Sequence, residues 1–367
     1  MNKKLIALAV AGATFAPAVM AQSANPVTLY GRVYAMFETV KASGGTAIPV
    51  GSRTRVSDQS SLLGVRGTED LGGGLKAFFQ LETAFRPDSN DTTFAARNSA
   101  VGLQGDFGSV LLGRWDTPFK TTTIAIDPFG DLTIGGITGA MSDRANFDRR
   151  EQNVFQYWTP TIGGFAGRFS YSANEAKTAL ATGNTNPGVV STSLTYTQGP
   201  IYVGYAWERH KDIYRNYTGA AANVAGGKEK GQALFGSYTF GPIKIGLLTQ
   251  KFEKLSGGAN RVSDQKSNMG NVTYTTGKNQ FVYQHARSKD GAEITPAGVV
   301  TTGVQPDCKI NTLAYFYNFS RRTSFLGQYT KVNNNAAGRC NFGANTLTLN
   351  GPDQDPTGFA VGLRHTF

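Results

Sequence analysis

Residues 64–82, GVRGTEDLGGGLKAFFQLE, hold the pattern that decides the fold. After the turn EDLGGG, Leu75, Ala77, Phe79 and Leu81 share one face of an extended chain, and Lys76, Gln80 and Glu82 share the other. A period of two marks a β-strand whose faces meet different surroundings. The glycines let the backbone reverse within a few residues, so 60–68 and 75–85 read as an antiparallel hairpin. Both chain ends repeat the pattern. Val27, Leu29, Gly31, Val33, Ala35 and Phe37 oppose Thr28, Tyr30, Arg32, Tyr34 and Glu38. Phe359, Val361, Leu363, His365 and Phe367 oppose Ala360, Gly362, Arg364 and Thr366. Two such terminal strands are either sandwich edges or a barrel seam. A long exposed edge invites aggregation, so closure is favoured.

Between the ends, strand-like runs come in pairs joined by short turns: 97–105 with 109–114, 153–159 with 165–171, 189–197 with 201–208 and 232–240 with 243–251. The runs 266–276 with 280–287 and 310–319 with 323–331 complete the series. With the first hairpin and the terminal strands there are about sixteen. Short and long connections alternate, as they do when turns gather at one end of a transmembrane barrel and loops at the other. Such a barrel turns its apolar residues outward and its polar residues inward. Phe240, Phe319 and Phe367 near strand ends fit the aromatic girdles at the membrane interfaces. The expected fold is all-β: a transmembrane antiparallel up-and-down β-barrel of about sixteen strands.

The N-terminus sets the compartment. Lys3 and Lys4, an apolar run over 5–16 and Val19-Met20-Ala21 form a secretory signal peptide over 1–21, leaving 22–367 as a single barrel domain. No later stretch approaches the ~18 consecutive apolar residues of a membrane helix. The formal charge of +11 includes two leader lysines, so 11 − 2 leaves +9. For an exported chain that balance points to lipopolysaccharide or small anions, not nucleic acid. The two cysteines, Cys308 and Cys340, fall in successive long connections. Outside the cytoplasm they are expected to form a disulfide, with two separate buried thiols as the alternative.

The longest connection, about 116–152, is far beyond a hairpin loop of about 2–5 residues. Asp116, Asp127 and Asp131 stand in its first part among Ile124, Ile126, Phe129, Leu132 and Ile134, and Arg144, Arg149 and Arg150 on its return. So many apolar residues imply a loop that packs against something, and the expectation is that it folds into the lumen and narrows it. Catalysis has little support. His210 falls in an expected loop, His365 on the outward face, and neither they nor His285 have triad partners at a motif spacing. The glycines at 72–74 precede a strand and not a helix, so they cradle no phosphate.

These residues carry a resemblance. Residues 64–82, VTLYGRV at the start, GDFGSVLLGR before the long loop, DPFG inside it, YNFSRRTSFLGQY and the terminal GLRHTF resemble a betaproteobacterial general porin of the Gram-negative trimeric porin family over the whole mature chain. The resemblance implies an outer-membrane homotrimer whose third external loop folds inward as the constriction. It implies passive diffusion of small hydrophilic solutes and ions, no reaction and no cofactor or metal, and makes terminal Phe367 an assembly signal. Asp127 and Asp131 would then face a wall of Arg32, Arg66, Lys76 and Arg168, inward by alternation, to which the resemblance adds Arg150. Asp116 is a further candidate at the constriction, and a mild anion preference is expected. Leu62 and Asn98 stand where relatives often carry basic residues, which makes this eyelet less basic. An adhesin or receptor barrel and a solute-specific channel are the alternative readings.

Overall fold

The computed structural model describes residues 27–367, apart from 90–91, 131, 138–140, 142–146, 174–177, 181–182, 216–220, 259–260 and 292–305. The expected leader, Asp131 and Arg144 lie outside the described residues. Strand β1 is Thr28–Ser43, and β2 has two segments, Val50–Asp58 and Leu62–Gly72, separated where Ser60 takes a φ of 58°. Then follow β3 (Leu75–Phe85), β4 (Ser99–Gly105), β5 (Gly108–Asp116), β6 (Arg150–Trp158), β7 (Phe165–Ala173) and β8 (Gly188–Gln198). Longer strands come next: β9 (Ile201–Arg215), β10 (Ala221–Phe240), β11 (Ile243–Gly258) and β12 (Arg261–Thr276). The last four are β13 (Asn279–Asp290), β14 (Asp307–Asn318), β15 (Thr323–Asn334) and β16 (Asp355–Thr366).

Each of these sixteen strands pairs antiparallel with its neighbours in sequence, and β16 closes on β1 from Arg32–Thr366 to Ser43–Asp355. Closure leaves no unpaired edge, the condition for strands in a bilayer. Terminal Phe367 completes the seam: its N–H and C=O both bond Gly31, at 3.1 Å each. Leu29, Phe37, Leu234, Leu247, Leu313 and Phe359 are exposed on the outer face, whereas Ser191, Ser267, Gln284, Thr312, Gln328 and Thr330 are buried on the inner one. The pattern is that of a soluble barrel turned inside out.

The ladders continue past the expected strand ends, to Arg215 in β9 and Gly258 in β11. This corrects the placement of His210, which stands in β9 opposite Glu229 of β10. The charged run ERHKD reads as a loop only if one face must be apolar. Beyond the membrane neither face must be, and backbone pairing carries the ribbon on. Arg114 falls in a β-bulge, where the β5–β6 register slips between Gly113 and Trp115.

The buried apolar cluster lies inside the barrel, where two loops, loop 3 (117–149) and loop 8 (335–354), pack against residues of the strands. Phe119, Ile126, Phe129, Ile134, Met141 and Phe147 of loop 3 join Phe342 and Leu347 of loop 8. Loop 8 is pinned by a disulfide between Cys340 and Cys308, whose Cα atoms are 6.2 Å apart. Cys308 stands near the start of β14 and not in the preceding connection. Asn334 brackets the bridge, donating to the Cys340 carbonyl at 3.0 Å and accepting its N–H at 2.8 Å. Closing a segment of separation 32 contributes about 3–4 kcal/mol in the chain-entropy model. Thiol labelling under denaturing, non-reducing conditions is therefore expected to find neither cysteine free, and reduction to lower the temperature at which the folded barrel is lost.

Candidate functional site

Loop 3 starts as a helix. Thr117 caps α1 (Pro118–Ile124), accepting the Lys120 N–H at 3.3 Å, and Pro118 opens it where no N–H is needed. Phe119 is buried, and its N–H donates to Ser191 Oγ of β8 at 3.0 Å. The loop's base is closed twice. Thr117 N–H donates to the Arg149 carbonyl at 3.1 Å, and Lys120 Nζ lies 2.9 Å from Asp148 and 3.7 Å from Asp116. Asp127 ends the helical part; its carboxylate accepts the N–H of Phe129 at 2.9 Å and of Ile137 at 3.2 Å. Only 6% exposed, it is turned into the loop's own backbone.

Beyond Asp127 the loop crosses the lumen and docks on one wall. Asn271 of β12 donates to the Ile126 carbonyl at 2.9 Å, and Gln265 of β12 to Met141 at 3.0 Å. Gln284 of β13 and Thr312 of β14 donate to the Gly135 carbonyl at 3.2 and 3.4 Å, while Thr133 Oγ1 donates to Gln328 Oε1 of β15 at 2.9 Å. At Gly135 a Cβ would lie 2.7 Å from Thr312 Cγ2, so only glycine lets the backbone approach this closely. Loop 8 covers the same tip, with Ala344 N–H donating to the Thr133 carbonyl at 3.1 Å. At the returning end, Phe147 stacks on His210 at 4.2 Å. The imidazole nitrogens face Glu208 at 2.8 Å and Glu229 at 3.1 Å, so this buried histidine holds the loop's return.

The opposite wall carries the cations. Climbing from the short turn at 73–74, the inner face of β2 and β3 presents Lys76 on the first rung, Arg66 opposite Gln80 on the third, then Glu82, and Arg32 next to Leu62 above it. Arg66 lies over the Tyr30 ring at 4.9 Å, and Tyr30 donates to Glu82 at 3.1 Å. Arg32 donates to the Ser60 carbonyl at 2.7 Å, and the charges acting on it include Arg97 and Arg364. Arg97 reaches Glu82 at 3.7 Å. Arg150 pairs with Asp116 at 3.1 Å and donates to Asn98 at 2.8 Å. Asn98, the departure from a basic residue, thus bridges the pair, donating to Asp116 at 3.0 Å. Arg168 projects from β7 over Trp158, 5.1 Å from the ring centre.

The structure therefore groups Arg32 and Arg150 with Arg97 and Arg364, which the sequence reading did not single out. Lys76 and Arg66 lie nearer the short-turn mouth, and Asp127 lies inside the loop. Arg364 was visible as an inward position of the last strand; Arg97 opens the expected run 97–105, where alternation with Val101 and Leu103 turns it outward, but β4 begins only at Ser99. The inward fold of loop 8 had one signal, Phe342, Leu347 and Leu349 in a stretch rich in Asn and Gly.

The Gram-negative porin family matches residues 7–337. The chain belongs to this family. Outer membrane porin protein 32 of Delftia acidovorans is 32% identical over 383 residues, spanning 100% of both chains. The anion-selective porin from Comamonas acidovorans superposes with a TM-score of 0.77 at 27% identity, covering 94% of this chain and 100% of that one. The trimer form of OmpT from Vibrio cholerae shares the fold, with a TM-score of 0.62 at 18% identity over 94% of this chain and 100% of its own. The protein is an outer-membrane porin, and the barrel described above is its channel.

Porin loop 3 leaves no room for a side chain at position 135. Gly135→Val would overpack that contact at a cost of about 1–3 kcal/mol. Lifting the loop into the lumen relieves it, so single-channel conductance in planar bilayers is expected to fall although the barrel still assembles.

Proposed function

We propose that this porin is a passive, water-filled channel for small hydrophilic solutes that favours anions, works as a homotrimer and catalyses no reaction. One observation carries the anion preference. Arg32, Arg97, Arg150 and Arg364 crowd one side of the channel, and of these Arg97 and Arg150 have carboxylates within 4 Å, at Glu82 and Asp116. Positive charge is left over on that wall, and Arg66, Lys76 and Arg168 extend it. Asp116 belongs to this wall through Arg150, and Asp127 shapes the loop that faces it. A narrow passage with excess charge of one sign admits ions of the other. The membrane face meets outer-membrane lipid, and basic external segments suit the phosphates of lipopolysaccharide. Trimer formation rests on the family and on the small or flat outward residues Gly31, Ala35 and Val361 at the seam.

In a tenfold gradient of potassium chloride the reversal potential is expected to have the sign of chloride permeation. Arg32→Gln combined with Arg97→Gln should move it toward the potassium value. A cation-selective wild-type channel, or a double variant with unchanged potential, would overturn the reading. Unheated detergent samples are expected to migrate as trimers and boiled ones as monomers.

A further inference from the structure

We propose that Arg168, Trp158 and Trp115 form a subsite for small aromatic carboxylates on the lumen wall; this rests on the diffusion-channel reading and names a solute class for it. Arg168 and Trp158 face each other directly across the β6–β7 ladder, on the same inner face. The guanidinium lies 5.1 Å from the indole centre, and the second indole, Trp115, is 5.6 Å from the first at an angle of 59°. The two rings make a corner beside a cation. All three side chains are partly exposed, so a solute can reach them.

The corner is held in place. Trp158 Nε1 donates to Gln156 Oε1 at 2.9 Å, and Gln156 Nε2 donates to the Asp116 carbonyl at 2.8 Å, at the root of loop 3. A preorganised aromatic surface loses little side-chain freedom on binding. Arg168 differs from Arg55, Arg97, Arg149, Arg150 and Arg287, each of which has a carboxylate within 4 Å. Among the described residues no carboxylate stands that close to Arg168, and the phenol of Tyr202 is the group acting on it. Its ladder neighbour on β8 is the small, buried Ser193.

A partly desolvated guanidinium on an indole, without a counter-ion, calls for an anion supplied from solution. Its planar fork matches a carboxylate bidentately. A flat ring on that carboxylate can pack tilted against the indoles, where an aliphatic group of equal size gains only contact area. Binding of this kind is weak and reversible, as a solute in transit requires.

The test uses block of the chloride current through the full-length channel, with benzoate and cyclohexanecarboxylate as probes of equal charge and similar size. Benzoate is expected to half-block at a concentration about two- to tenfold lower, the ratio that a ring pair is worth. Trp158→Leu should erase that difference, and Arg168→Gln should raise the half-blocking concentration of both. If Trp158→Leu yields no channels, Trp115→Leu must narrow the difference. Equal block of wild type by the two acids, or a difference that survives loss of either indole, would overturn the subsite. The reversal potential of the same wild-type channel separates the two claims. An anion-selective channel without benzoate preference removes the subsite alone; a cation-selective one removes the reading on which it rests.

Discussion

The channel depends on hydrogen bonds from wall side chains to the backbone of loop 3. A long segment without regular structure leaves its own N–H and C=O groups unpaired, and inside a barrel those groups must find partners. Asn271, Gln265, Gln284 and Thr312 supply them to carbonyls of Ile126, Met141 and Gly135. These residues are polar because the strands enclose water, so the alternation that builds the barrel also provides the dock. The loop's apolar side chains then bury one another: Phe147 packs between His210 and Phe252, at 4.2 and 4.9 Å. One side of the lumen is filled, and the passage is confined to the other.

That asymmetry sets the electrostatics. At physiological salt, charge is screened beyond about 8 Å, so the net charge of the chain does little at the eyelet. What acts there is the local wall, on which the arginines crowd. The acids have separate structural duties. Asp127 ties the loop's turn, Asp116 orients Arg150 through Asn98, and Glu38 is held by Arg55, Ser57 and Gln59 beneath loop 8. A carboxylate spent on backbone or on a neighbouring guanidinium contributes less field to the passage than its sequence position implies.

Much of the fold was legible because period-two alternation is a local property. All sixteen barrel strands, the seam between the termini and the inward third loop follow from it, from the turn residues and from the family resemblance. Where membrane and lumen cease to impose opposite faces, the signal ends. His210 is the example: it stands in a paired ribbon amid charges that resemble a loop. The site was less legible, because alternation assigns a face but no contacts. It put Arg32 and Arg168 on the inner face, where they are found, but could not show that Arg150 is bound to Asp116. Nor could it show Asp127 turned inward to its own loop, or loop 8 drawn over the tip of loop 3 by Ala344 and the Cys308–Cys340 bridge.

The docking of loop 3 on the wall of β12 to β15 is tested most directly by tying it there. Gly135→Cys with Thr312→Cys, in a chain whose native cysteines are replaced by serine, places two thiols across the Gly135 contact and removes the Thr312 methyl that a Cβ at 135 would otherwise meet. Oxidation is expected to cross-link them fully and to leave single-channel conductance and reversal potential as they are in the reduced channel. Failure to cross-link, or a large change in current on oxidation, would mean that ions pass while the loop is away from this wall, and would contradict the arrangement described.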